Sequence, residues 1–191
     1  MSLTLITAPS LEPMTLAEAK LHLRVDGTDE DDLITALIVA ARRRAEHLLT
    51  RALITQTWEL TLDEFPAAEI RIPKPGVLSI VSVKYLDSAG VEQTVDSADY
   101  ALDAATIPGW VLLASDATWP TTYDGANAVR VRFTCGYGPA ASDVPADVVA
   151  WCKLQVGALY RNREGFAAGQ SVAELPGRFF DALLDAERVY L

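Results

Sequence analysis

The chain has 191 residues, half of them hydrophobic and 22% charged, which is the make-up of a folded globular protein and excludes a disordered one. Its net charge of −10 argues against a surface that wraps nucleic acid, because such binding neutralises phosphates with Lys and Arg. Residues ahead of Ser10 carry no positive charge before an apolar core, so no secretory signal is expected. The longest helical apolar run, 33–41, is broken by Thr35, followed by three arginines and far too short to span a membrane. Cys135 and Cys152 lie in unlike elements and read as buried free thiols, in keeping with cytosolic assembly.

In chain order, residues up to Glu12 read as an extended arm ending at Pro13, a candidate for ordering on docking. Thr15-Leu16-Ala17-Glu18 fits a capping box, with Thr15 capping and Glu18 reaching back, and the helix it opens stops near Asp26-Gly27. A second helix begins in the acidic run Asp29-Glu30-Asp31-Asp32, whose charge suits the positive end of a helix dipole. Its apolar face is Leu33, Ile34, Leu37, Ile38, Ala41, Ala45 and Leu48, and it runs to about Leu49. Arg42 and Glu46, four apart, can pair on its surface. Arg44 falls inside the apolar stripe, so it either snorkels outward or meets a carboxylate from another element or subunit.

From Ile54 the period changes to two. Trp58, Leu60 and Leu62 alternate with polar neighbours, as in a half-buried strand. Ile70 and Ile72 form a short piece closed by Pro73-Lys74-Pro75-Gly76. The runs 80–86 and 91–95 flank Asp87-Ser88-Ala89-Gly90, a hairpin signal, and 100–102, 110–113 and 129–133 add strands. A last helix opens at Val144-Pro145-Ala146-Asp147, with proline tolerated in a first turn, and Gly165 offers a left-handed stop. Val148, Val149, Cys152, Val156, Leu159 and Tyr160 recur at helical spacing, and Trp151, Leu154 and Ala158 widen the stripe. This predicts a helix covered on most sides, with a bundle around it. The fold class expected is α+β: a mainly helical bundle domain (1–54 and 139–191) with an inserted small antiparallel β domain (55–138).

The chemistry of catalysis is not signalled. His22 and His47 with two scattered cysteines give no zinc spacing, and no serine-nucleophile elbow, phosphate loop or dinucleotide fingerprint occurs. The run 26–32 lacks the alternating ligands of a calcium loop. Neither a metal nor a cofactor is expected. Trp58, Trp110, Trp119 and Tyr100 are either core aromatics or a platform for a carbohydrate or lipid ligand, which leaves a binding module in the β segment as an alternative reading.

Several stretches carry a family resemblance. Met14-Thr15-Leu16-Ala17-Glu18-Ala19-Lys20, Asp31-Asp32-Leu33-Ile34, Arg51-Ala52-Leu53-Ile54, Val81-Ser82-Val83-Lys84-Tyr85-Leu86-Asp87, Trp119-Pro120 and Val129-Arg130-Val131-Arg132-Phe133 follow one another in the order and spacing of a known pattern. So does Tyr160-Arg161-Asn162-Arg163-Glu164. The chain resembles the head–tail connector (adaptor) proteins of tailed bacteriophages over nearly its whole length. Thr50 departs from the pattern, standing where a glycine is usual, which argues against a left-handed helix end there.

The resemblance implies a virion structural protein, encoded by a phage or prophage and assembled in the bacterial cytoplasm. It implies a ring of a dozen-odd copies below the portal, joining capsid to tail, through which DNA passes without specific binding. The partners implied are portal and tail or stopper proteins and further copies of the chain, with no membrane. Another neck protein, a stopper or terminator, is the nearer alternative. The residues singled out for subunit or portal contacts are Arg44, Tyr160, Arg161, Arg163 and Glu164, and the segment 167–175 joins the N-terminal arm as a candidate for ordering on docking.

Overall fold

The computed structural model describes residues 1–163 and 181–188. They fall into two compact units: one joins Met1–Ser10 to Thr55–Tyr137, the other joins Leu11–Ile54 to the described residues from Gly138 onward.

The first unit is built on β8 (Val129–Cys135), whose strict alternation buries Val129, Val131, Phe133 and Cys135 and turns Arg130, Arg132 and Thr134 to the other face. Burial on one face fixes register, because a one-residue slip would turn every apolar side chain outward. β2 (Gln56–Leu62) lies along one side with Trp58 opposite Phe133, and β4 (Val77–Leu86) along the other. With β1 (Ser2–Thr7) and β5 (Glu92–Thr94) the order is β1-β2-β8-β4-β5, every pair antiparallel. On the polar face Arg132 donates to Glu59 directly across the ladder at 2.8 Å, and Glu92 accepts from Lys84 and Arg130 at 2.8 and 2.7 Å.

The turn between β4 and β5 forms as its residues predict. Gly90 takes φ 78°, and the Asp87 carboxylate accepts the Ala89 and Val91 N–H groups at 2.9 and 3.0 Å. A separate three-stranded sheet, β3 (Ile70–Ile72), β7 (Gly109–Leu113) and β6 (Tyr100–Asp103) in the order β3-β7-β6, buries Ile70, Ile72 and Val111.

The second unit packs α1 (Leu16–Leu23), α2 (Asp31–Leu49) and α3 (Ala146–Arg161), with a 3₁₀ segment at Ala182–Glu187. The capping box at Thr15 is present: its hydroxyl accepts the Glu18 N–H, while the Glu18 carboxylate accepts the Thr15 N–H at 2.8 Å. α2 buries Ile34, Ile38, Ala41, Arg42, Ala45 and Leu49, and it ends on Thr50 in the left-handed region at φ 58°. The departure from glycine at that position therefore does not prevent a left-handed stop. α3 buries Val148, Trp151, Cys152 and Val156, a single stripe at helical spacing, and leaves Ala158 and Arg161 exposed. Ala146 is exposed as well, and the other residues of the helix are half-buried.

The expectation of a mainly helical bundle with a small β insert is overturned. Among the described residues eight strands in two antiparallel sheets stand beside three α-helices, so the protein is a mixed α+β chain. Part of the difference is residues 2–7. Read alone, Leu3, Leu5 and Ile6 among Ser2, Thr4 and Thr7 are too short a pattern to commit to a sheet. Paired with β2, fifty or more residues away in sequence, they become its edge.

Candidate functional site

The predicted contact residues divide sharply. Tyr160 and Arg163, at the end of α3, converge on Glu30 at the head of α2: the Tyr160 hydroxyl donates to one carboxylate oxygen and the Arg163 guanidinium to the other. Arg163 also lies over the Tyr160 ring, 4.7 Å from its centre, and donates to the Tyr160 carbonyl at 3.3 Å. The Tyr160 hydroxyl first, and Arg163 second, hold the Glu30 carboxyl below its ordinary range; the same carboxylate raises the Tyr160 phenol and the Arg163 guanidinium. Beside this cluster, Lys20 on α1 donates to Asp31 at 2.6 Å. These bonds tie the three helix ends of the second unit together.

Arg44 and Arg161 behave differently. Both are exposed, and neither has a partner among the described residues. Arg44 takes the outward course of its two sequence readings. Glu164 lies outside the described residues, as does the segment 167–175.

The buried arginine of α2 is Arg42, which sequence reasoning placed in a surface pair. Its Nε donates to Glu12 at 2.7 Å and its Nη1 to Glu46 at 2.7 Å, and the other Glu46 oxygen accepts the Leu53 N–H at 3.1 Å. Burial would lower the pKa of this guanidinium, but the two carboxylates outweigh it and raise it. Burial, then Glu46 and Glu12, pushes the nearby Cys152 thiol up to about 12, so the thiol is protonated at neutral pH. Both cysteines are buried thiols outside any disulfide, as their positions in the sequence suggested.

The aromatic residues do not form one platform. Trp58 sits on β2 beneath the Lys74 ammonium at 4.2 Å and donates to Gln56. Tyr100 and Trp110 belong to the three-stranded sheet. Trp119, in the loop that follows β7, stacks parallel on Phe65 at 4.7 Å and donates to the Ala68 carbonyl. Phe65 and Trp119 line an open groove of about 880 Å³ with Tyr123 and three acids, Asp63, Glu64 and Asp124. Trp119-Pro120 marks one rigid wall of it in the sequence, but the groove itself is not legible there, since its walls come from two loops more than fifty residues apart. Among the described residues no group of three or more His, Cys, Asp or Glu is placed to hold a metal, and no helix is long and apolar enough to cross a membrane.

A chain of two units, one β and one helical, whose cationic and aromatic side chains mostly tie the units' own elements, defines a scaffold with contact surfaces. Comparison with known proteins shows what the chain is similar to. Residues 13–95 match the model of the phage gp6-like head-tail connector proteins, a span running from the start of α1 to just beyond β5. No curated protein matches the chain. Three solved structures are similar to all of it, each at 25% identity and each covered over 97% of its own length. They are a chain of the neck of an empty gene transfer agent (GTA) particle computed with C6 symmetry, TM-score 0.80, and one of the virion of a native GTA particle, TM-score 0.78. The third is a chain of the neck of a native GTA particle computed with C12 symmetry, TM-score 0.76. The resemblance to head–tail connectors read from the sequence is borne out, and a connector role in a phage-type neck is what these matches support.

Proposed function

We propose that the protein is a ring-forming connector of a phage or prophage neck, seated below the portal, holding the tail beneath it and leaving a central passage for DNA. The observation that carries this reading is the extent of the likeness: it covers both units of this chain and nearly all of each neck or virion chain, not one shared module. Rotational symmetry in the relatives' necks fits a ring whose subunits meet head to tail, since only heterologous contacts close into a ring of many copies. Its partners on this reading are the portal above, a stopper or tail protein below and its own copies, with assembly in the bacterial cytoplasm.

The work is structural, not catalytic. Of the predicted contact residues, Arg44 and Arg161 are the ones free to meet a neighbour, whereas Tyr160 and Arg163 shape the surface through Glu30. The test is electron microscopy of the purified protein mixed with its portal. The expected result is a second ring stacked coaxially on the portal with an open centre. Portal rings left bare in the presence of excess protein would overturn the proposal.

A further inference from the structure

The groove of the first unit has an unusual charge. Its acids are Asp63, Glu64 and Asp124, and no Lys or Arg lines it. Asp63 is partly committed, accepting the Asn127 N–H at 2.9 Å, but Glu64 and Asp124 are exposed and have no partner among the described residues. Tyr123 is 46% exposed, and Trp119 is braced from behind by Phe65. Two free carboxylates beside an open aromatic face suit a guanidinium, which takes carboxylates through its planar fork and stacks on rings.

The chain also carries a matching surface. Most described Lys and Arg residues are already paired with a carboxylate or a ring. Those without a partner among the described residues are Arg24, Arg43, Arg44, Arg71 and Arg161. Only Arg43 and Arg44 are adjacent. Both are exposed on α2, about 100° apart around the helix. Ala40 and Ala36, one and two turns before Arg44, are exposed too, so the line of residues leading to it carries only methyl groups, and exposed His47 follows one turn on.

We propose that this groove receives the Arg43–Arg44 sector of α2 from a neighbouring copy, so that each subunit gives its arginines to one neighbour and its groove to the other. The inference rests on the ring reading and names the contact that closes the ring. Copies with a net charge of −10 repel one another at a distance, and a local match of opposite charge fixes which faces meet. Arginine and tyrosine are the residue types that interfaces favour.

A charge exchange tests it, read by sedimentation and by negative-stain microscopy, with the protein alone and on portal rings. One set carries Arg43→Glu and Arg44→Glu, the other Glu64→Lys and Asp124→Lys, and a third carries all four. All four sites are exposed, so each set should melt within about 2 °C of the wild type. Either pair alone should raise the concentration needed for ring formation about tenfold or more, and the combined set should bring it back to within about threefold of the wild type. Rings that form equally well with either pair, or a combined set no better than its parts, would overturn the proposal. So would unchanged rings with loss of affinity for an arginine-rich peptide, which would assign the groove to a different chain. If the wild-type protein forms no ring, alone or on the portal, it is the ring reading that fails.

Discussion

At the scale of single residues, Arg42 and Arg44 make a controlled comparison on one helix. Arg42 is 7% exposed and held by Glu12 and Glu46, while Arg44 is exposed with no partner among the described residues. Removing one member of a buried ionic cluster strands the others without their counter-charge. Arg42→Ala should therefore cost about 3 kcal/mol, a fall in Tm of roughly 6–12 °C for a chain of this size. Arg44→Ala should change stability by less than about 0.5 kcal/mol. Thermal unfolding of the two variants checks both values; equal effects would contradict the assignment. Sequence periodicity found the helix but misjudged this pair, for a physical reason. Counting Leu33, Leu37 and Leu48 into the apolar face turned the stripe toward Arg44, whereas the buried set is Ile34, Ile38, Ala41, Ala45 and Leu49, and Arg42 lies within it. A buried arginine is legible only once its carboxylates are known, and Glu12 comes from outside the helix. Glu30, the common partner of Tyr160 and Arg163, was equally hidden, because an acid at a helix start already has a sufficient local explanation.

At the scale of elements, what could be read was whatever local chemistry decides. The capping box at Thr15, the Asp87–Gly90 turn, strand β2 and the alternation of β8 all formed where their residues pointed. What could not be read was which strands pair, since partners in a sheet are chosen by distant residues. β1 shows the consequence. An arm that orders only on docking could be deleted without harm to the fold, but Ser2–Thr7 is the edge of the five-stranded sheet. Deleting residues 1–8 should strip β2 of its partner from Thr57 to Thr61, leaving a longer row of unpaired N–H and C=O groups open to other chains. The expected outcome is a Tm lower by several degrees, about 2–4 °C for each kcal/mol lost, with light scattering that grows with protein concentration. A truncated protein that melts like the wild type and stays monodisperse would return β1 to the status of a dispensable arm. Glu12, which holds Arg42, lies beyond the deletion, so the helical unit keeps its ionic cluster.

For the whole molecule, the balance of charge bears on the passage of DNA. The sequence holds 26 Asp and Glu against 16 Lys and Arg, and among the described residues most of those cations are already paired. Arg42 is buried, Arg132 faces Glu59, Lys84 and Arg130 share Glu92, and Arg163 is held by Glu30. Affinity for duplex DNA grows with the number of phosphates neutralised, each releasing condensed counterions. A surface with few free cations and many carboxylates gains little from that release and repels the duplex over roughly 8–10 Å at ordinary salt. A connector that gripped DNA would resist its movement through the ring, so weak binding is what the proposed role needs. The expected outcome is no retardation of a 30-base-pair duplex at 0.1 M salt by micromolar protein. Replacing Asp63, Glu64 and Asp124 together with Lys changes the net charge from −10 to about −4 and should introduce weak, strongly salt-dependent retardation. Tight binding by the wild-type protein at 0.1 M salt would mean that its few free arginines are concentrated along a DNA path, and that the passage holds the duplex instead of letting it slide.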